Sequence, residues 1–146
     1  MTKTIFDDYP MPPAARLLGW KLISLDPQNG SIEVQFDAKP EFAGPSGFIQ
    51  GGFLAAMLDD TLGPAAFAMS HGAHMCTTID LHIHYLRPVS PGLVTTCARV
   101  IKLGATIAFL EGELSNAEGK LSARATASAM LADYKAQGNT VKPQCS

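Results

Sequence analysis

The stretch that decides the fold runs Phe53-Leu-Ala-Ala-Met-Leu-Asp-Asp-Thr-Leu-Gly-Pro-Ala-Ala-Phe-Ala-Met-Ser70. Alanine, leucine and methionine favour helix, so this stretch predicts a long α-helix. Because it is apolar on nearly every side, we expect the helix to be buried rather than amphipathic. Pro64 cannot donate the backbone hydrogen bond of a helical residue, and we expect a kink or a break near Gly63.

The sequence on both sides of this stretch predicts strands. Residues 20–25 and 32–36 flank a turn at residues 26–30, which indicates a hairpin, and a short helix precedes it at residues 12–18. Four later strand segments are joined by tight turns, and those at residues 79–85 and 121–131 alternate in their side chains, whereas those at 93–103 and 105–114 flank Gly104. No strand–helix–strand repetition occurs, so the sheet should be largely antiparallel. The predicted fold class is α+β, with five to six strands wrapped around one long central helix.

The composition indicates a single globular domain. The chain has 146 residues, of which 47% are hydrophobic and 16% charged, and its formal net charge is −2. Such a charge provides no field to attract nucleic acid or an anionic membrane surface. We expect one domain over residues 1–134 and a polar tail over residues 135–146 that frays. Few charges leave much neutral surface, which suggests a subunit interface.

The ends and the cysteines favour a cytoplasmic protein. The first eight residues show no apolar run behind a basic start, which argues against a secretory signal. No apolar run is long and continuous enough to predict a membrane span. The three cysteines, Cys76, Cys97 and Cys145, are widely spaced and form no CxxC pattern, which is typical of free thiols in a reducing cytosol.

A glycine-rich entry precedes the predicted helix, and it reads Gly44-Pro-Ser-Gly-Phe-Ile-Gln-Gly-Gly52. A helix start without side chains leaves backbone N–H groups, such as that of Gly51, uncovered and positively polarised. Such groups can hold an anion or a developing oxyanion. The alternative is a flexible loop with ordinary helix capping.

Two adjacent carboxylates, Asp59 and Asp60, interrupt the apolar helix. Neighbouring residues on a helix point about 100° apart, so at most one of the two side chains faces the core. A buried carboxylate could be a general base or a nucleophile with a shifted pKa. The alternative is that a kink near Pro64 opens both acids to water.

The spacing of these two features predicts a dimer. Gly51 and Asp59 are eight residues apart, which corresponds to about 12 Å along a helix. An oxyanion donor and a catalytic acid must both lie about 3 Å from their reacting atoms on one carbonyl centre. Two antiparallel helices from two subunits satisfy this requirement, so we expect a two-fold homodimer with composite sites at the interface.

The same residues resemble a known family. Gly44 to Gly52 followed by Leu58-Asp-Asp-Thr-Leu-Gly63, together with Thr78-Ile-Asp-Leu-His-Ile-His-Tyr-Leu-Arg-Pro88, looks like the hotdog-fold acyl-CoA thioesterases of the phenylacetate-degradation (PaaI-like) type. The resemblance covers roughly residues 15–132. It implies a sheet wrapped around a helix and dimers that often pair into tetramers. It also implies hydrolysis of acyl-CoA thioesters with no metal and no cofactor apart from the coenzyme A of the substrate.

The resemblance assigns roles residue by residue. The family's catalytic acid falls on Asp59, its oxyanion amide on Gly51 and its hydroxyl residue on Thr78. The family's histidine before Gly-Gly is Gln50 here, and its side-chain amide can still donate to a thioester oxygen. These four residues are the predicted catalytic set.

Four further positions are predicted to bind substrate. Gly44 stands where the family has asparagine, so that side chain is absent, and Gly52 adds a second bare N–H at the helix start. Arg87 and Lys102 could meet the phosphates of coenzyme A. The alternative for both basic residues is a solvated surface charge.

Other interpretations stay open. The departures at Gly44 and Gln50 allow a hotdog protein that binds acyl-CoA or another apolar ligand without efficient turnover. A dehydratase is a more distant alternative, because its paired aspartate and histidine are not evident. His82 and His84 share one strand face, but no further ligand completes a metal site, so none is predicted.

Aromatic residues could shape an acyl pocket, although such residues more often pack in a core. The candidates are Trp20, Phe48, Phe53 and Phe67.

Overall fold

A computed structural model describes residues 2–134. The predicted tail at residues 135–146 lies outside the described residues. The elements are α1 (Pro13–Leu18), β1 (Lys21–Asp26), β2 (Ser31–Ala38), α2 (Gly51–Met69), β3 (His74–Tyr85), β4 (Gly92–Leu103), β5 (Ile107–Ser115) and β6 (Leu121–Asp133). Short 3-10 helices occupy Ile5–Asp8 and Pro40–Phe42.

The six strands form one sheet in the order β1-β2-β4-β5-β6-β3. Every neighbouring pair is antiparallel, and α2 packs against the inner face of the sheet. The predicted α+β architecture of one long helix and an antiparallel sheet is therefore confirmed, with six strands. β1 and β3 are the two edge strands.

The inner face of the sheet follows the alternation of the sequence. Every second residue of the central strands is buried, and in β6 the buried row consists of alanines. Because the alanine side chains of this row are small, the residues that pack on this face can lie close to the β6 backbone. Two buried hydroxyls join α2 to the sheet, because Thr61 Oγ1 and Thr96 Oγ1 lie 2.7 Å apart. The buried alanines are Ala123, Ala125, Ala127 and Ala129.

Helix α2 is buried or partly buried along nearly its whole length. Leu54, Met57, Leu58 and Leu62 are at most 3% exposed and face the sheet. The opposite side of the helix carries the exposed Asp59 and several partly buried residues. The prediction of a helix buried on nearly every side is therefore confirmed, with Gly52 and Asp59 as its two exposed positions.

We expected a kink or a break near Gly63. The break is wrong, because α2 continues through Pro64 as one α-helix. Proline has no N–H, so it leaves the carbonyl four residues earlier, that of Asp60, without its helical partner. Trp20 replaces that partner, since its indole Nε1 donates to the Asp60 carbonyl oxygen at 2.9 Å. A contact between residues 40 positions apart thus preserves the helix.

Within residues 2–134, no helix combines the length and the apolarity that crossing a bilayer requires.

Candidate active site

A cavity of about 530 Å³ opens on the side of α2 that faces away from the sheet. Aromatic side chains from the N-terminal segment, α2 and the end of β6 enclose it, and two acids of α2 reach it. Of the four aromatic residues predicted to line a pocket, Trp20 and Phe67 lie here, whereas Phe53 stacks on Phe42 at 4.3 Å between ring centroids. Phe48 is 42% exposed. The cavity residues include Phe6, Tyr9, Trp20, Asp59, Asp60, Phe67, Cys76, Thr78 and Tyr134.

Asp59 and Thr78 meet at this cavity. Thr78 Oγ1 donates to Asp59 Oδ1 at 2.7 Å, which joins the middle of α2 to β3. The Asp59 side chain is otherwise exposed. One carboxylate oxygen is thereby held by the threonine, and the other is left to accept from water or to approach a substrate.

Asp60 is the acid that turns inward. Its Oδ2 atom is buried and has no hydrogen-bond partner among the described residues. Burial, with a smaller contribution from the negative charge of Asp59, raises the pKa of Asp60 to about 6. The expectation that at most one of the two acids faces inward is confirmed. The buried, pKa-shifted carboxylate considered as a general base or nucleophile is therefore Asp60, whereas the resemblance places the catalytic acid on the exposed Asp59.

The start of α2 presents bare backbone donors. The first N–H groups of a helix have no intrahelical acceptor, so those of Gly51 and Gly52 are available to a ligand. Tyr85 Oη donates to the Gly51 carbonyl oxygen at 2.8 Å and fixes the first peptide of the helix. A Cβ on Gly51 would lie 3.2 Å from the Tyr85 ring, so a larger residue would crowd this contact.

The loop before α2 is tightly turned. The Gly44 N–H donates to the Phe48 carbonyl oxygen at 2.8 Å, and Gln50 N–H donates to the Phe42 carbonyl oxygen at 2.9 Å. The Gln50 side chain is exposed. A Cβ on Gly44 would meet nothing nearer than 3.9 Å, so a side chain would fit at this position.

The predicted site residues therefore form two groups within one chain. The cavity holds Asp59 and Thr78, but its lining does not include Gly44, Gln50, Gly51, Gly52, Arg87 or Lys102. Arg87 is exposed and its Nε donates to the Leu121 carbonyl oxygen at 3.3 Å. Lys102 is exposed on β4. One chain does not bring the acid and the bare N–H groups together.

The remaining candidates show no activated group. His82 and His84 are exposed on the outer sheet face, and their Nε2 atoms lie 3.1 Å apart. No group of three or more metal-ligating side chains occurs within residues 2–134. Burial raises the pKa of the Cys76 thiol to about 11, and burial with nearby glutamates raises that of Cys97. Both thiols therefore stay protonated at neutral pH.

Comparison with known proteins decides the family. The model described as the thioesterase superfamily matches residues 46–123, a segment that contains the helix start, Asp59 and Thr78. The chain belongs to the thioesterase superfamily. Thioester hydrolysis is the general activity that this membership supports.

Alignments with similar proteins cover most of this thioesterase. An esterase-designated protein of Saccharolobus solfataricus is 30% identical over 122 residues, which cover 84% of this chain and 85% of that protein. A thioesterase-designated, phenylacetic acid degradation-related protein of Ralstonia eutropha is 36% identical with a TM-score of 0.81, over 86% of this chain and 95% of that one.

The PaaI protein from the phenylacetic acid degradation operon of Escherichia coli shares the fold, with a TM-score of 0.71 and 22% identity over 82% of this chain and 83% of that one. The predicted hotdog thioesterase fold of the PaaI-like type is confirmed by these matches.

Proposed function

We propose that this thioesterase hydrolyses acyl-CoA thioesters to the free acid and coenzyme A. The observation that carries the proposal is the hydrogen bond from Thr78 to Asp59 at the edge of an apolar cavity. Asp59 activates water as a general base or attacks the thioester carbonyl itself, while the acyl group lies in the cavity. Thr78 is a positioning residue that orients the carboxylate.

The oxyanion donor in this scheme is the Gly51 N–H at the start of α2. The carbonyl oxygen gains negative charge as the carbon becomes tetrahedral, and a helix N-terminus stabilises such charge. The Gln50 side chain, next to this N–H, can donate to the same oxygen. The scheme needs no cofactor, because coenzyme A is part of the substrate.

A two-fold homodimer joins the two halves of the site. Asp59 contacts Thr78 and Gly51 contacts Tyr85, so β3 runs antiparallel beside α2. A two-fold axis near Ala55, midway along the helix between Gly51 and Asp59, sets each glycine against the partner's acid. The same axis pairs the free edge of β3 with its copy. Pairing of two dimers is the larger assembly we propose.

The exposed positions outside the cavity are proposed to bind the coenzyme A part. Arg87 and Lys102 have exposed side chains that can meet its phosphates, and Gly44 and Gly52 leave the approach to the helix start open. The free thiols of Cys76 and Cys97 agree with action in a reducing cytoplasm.

The first test removes the acid. Asp59→Asn should lower kcat by about 10³-fold or more in an assay of coenzyme A release over a panel of aryl and aliphatic acyl-CoAs. Asp37→Asn, at an exposed aspartate of β2, is the matched control and should keep full activity. Unchanged turnover in the Asp59→Asn enzyme would exclude this assignment.

The second test addresses the composite site. Asp59→Ala and Gly51→Pro chains should each be inactive as homodimers, since each lacks one half of both sites. A verified heterodimer of the two has one intact site, so about half of the wild-type activity per dimer is expected. Absence of recovery in that heterodimer would argue that each chain builds its own site.

A second candidate function is acyl-CoA binding without efficient turnover. It is favoured by Gly44, where the family's asparagine side chain is missing although there is room for one. Tight binding of acyl-CoA with no release of coenzyme A would select this alternative.

A further inference from the structure

Asp60, the acid next to Asp59, has no role in the proposed reaction. Its burial nevertheless costs free energy. Asp60 Oδ2 is buried without a hydrogen bond among the described residues, and the cavity that it reaches is mostly apolar. Buried polar atoms in folded proteins are nearly always paired. The exceptions require an explanation, such as a ligand that supplies the missing partner.

The protein groups around Asp60 do not supply that partner. The Trp20 indole N–H is committed to the backbone carbonyl of Asp60, and the Thr78 hydroxyl is committed to Asp59. The other polar groups of the cavity are the Tyr9 and Tyr134 phenols and the Cys76 thiol. No lysine, arginine or histidine lines the cavity among residues 2–134, so no cation neutralises the acid.

We propose that Asp60 is a specificity-determining residue that hydrogen-bonds a hydroxyl group carried by the acyl chain of the substrate. This inference rests on the proposed function, since the cavity is taken to hold the acyl group. A hydroxyl suits Asp60 in either protonation state, because it donates to a carboxylate and accepts from a carboxylic acid. Burial raises the pKa of Asp60 to about 6, so both states are accessible near neutral pH.

The expected discrimination follows from the cost of an unpaired polar group. A site built to bind a hydroxyl rejects the analogue that lacks it, because its own polar atom then stays buried and unpaired. Asp60 is only partly buried, so we expect a preference of roughly 10–100-fold in kcat/KM, below the largest values known for such sites.

The experiment compares acyl-CoAs that differ by one hydroxyl. Phenylacetyl-CoA is paired with 4-hydroxyphenylacetyl-CoA, and hexanoyl-CoA with 6-hydroxyhexanoyl-CoA. The wild-type enzyme should prefer the hydroxylated member of at least one pair. Asp60→Leu should bring that preference close to one, whereas Asp60→Asn, which keeps a hydrogen-bonding side chain, should retain part of it. Thermal melts of each variant verify folding.

A binding measurement separates this inference from the proposed function. Trp20 is the only tryptophan and lines the cavity, so its fluorescence reports occupancy. 4-Hydroxyphenylacetamide should bind about 10-fold or more tightly than phenylacetamide, and Asp60→Leu should abolish the difference. If no acyl-CoA is hydrolysed but this difference holds, the hydrolase proposal fails and the Asp60 proposal stands. Two results would overturn the Asp60 proposal. One is a wild-type protein with no preference for the hydroxylated compounds, and the other is an Asp60→Leu variant that keeps the wild-type preference.

Discussion

Replacing Asp60 by asparagine should stabilise the protein at alkaline pH and leave its stability unchanged in acid. The folded-state pKa of Asp60 is raised, so the folded protein holds this proton more tightly than the unfolded chain does. The stability contributed by the neutral acid is therefore complete below the unfolded pKa of 3.8 and is lost as the pH rises through about 6. Asparagine stays neutral throughout and avoids this loss.

The size of the effect follows from the same values. A rise in pKa from 3.8 to about 6 corresponds to about 3 kcal/mol for a fully desolvated group. The Asp60 side chain is still partly solvated, and water screens its charge, so about half of that value is expected. Asp60→Asn should therefore raise the free energy of unfolding by about 1.5 kcal/mol at about pH 8.

Urea unfolding at a fixed protein concentration measures this difference. The gain should be present at about pH 8, above the folded pKa, and nearly absent at about pH 3, below the unfolded pKa of 3.8. Asp37→Asn, which removes an exposed carboxylate, controls for the loss of one acidic charge. A gain of the same size at both pH values, or a loss at the higher one, would refute the burial argument.

Three further outcomes test the framework of the site. Leu58→Ala should cost about 2–5 kcal/mol in denaturant unfolding, because Leu58 is fully buried between helix and sheet; a cost below about 1 kcal/mol would contradict that packing. Gly30→Ala should cost roughly 2–4 kcal/mol, because Gly30 has a φ of +67° and a Cβ would lie 2.7 Å from Met69 Sδ; a neutral result would show that this turn adapts. Tyr85→Phe should lower kcat roughly 2–10-fold with little change in melting temperature, since it frees the Gly51 carbonyl; unaltered kinetics would remove Tyr85 from the support of the helix start.

Local patterns were sufficient to predict the helix, a sheet of five to six strands and the separation of Gly51 from Asp59 within one chain. Alternation along the chain marked the inner face of β2 and β6, and the rise of a helix alone placed Gly51 and Asp59 about 12 Å apart. These predictions depend on neighbours in sequence, so one chain contains the information they need.

The features that the sequence did not reveal depend on contacts between distant segments. Pro64 carries a clear helix-breaking signal, yet the helix continues, and the distant indole of Trp20 donates to the carbonyl that Pro64 frees. Helical spacing showed that at most one of Asp59 and Asp60 faces inward, and only the structure shows that it is Asp60, beside a cavity that Phe6 and Tyr9 help to line. The stacking of Phe53 on Phe42 likewise has no local signal.

The two edge strands of the sheet differ in features that prevent pairing with strands of other molecules. β1 has six residues and begins with Lys21, and short, charged edges resist joining other strands. β3 has twelve residues and carries Ile79, which is 52% exposed. A newly made chain therefore offers a long template for aggregation until this edge is covered. In the proposed homodimer a second copy would cover this edge, and the steady-state amount of the protein would then depend on how quickly copies meet.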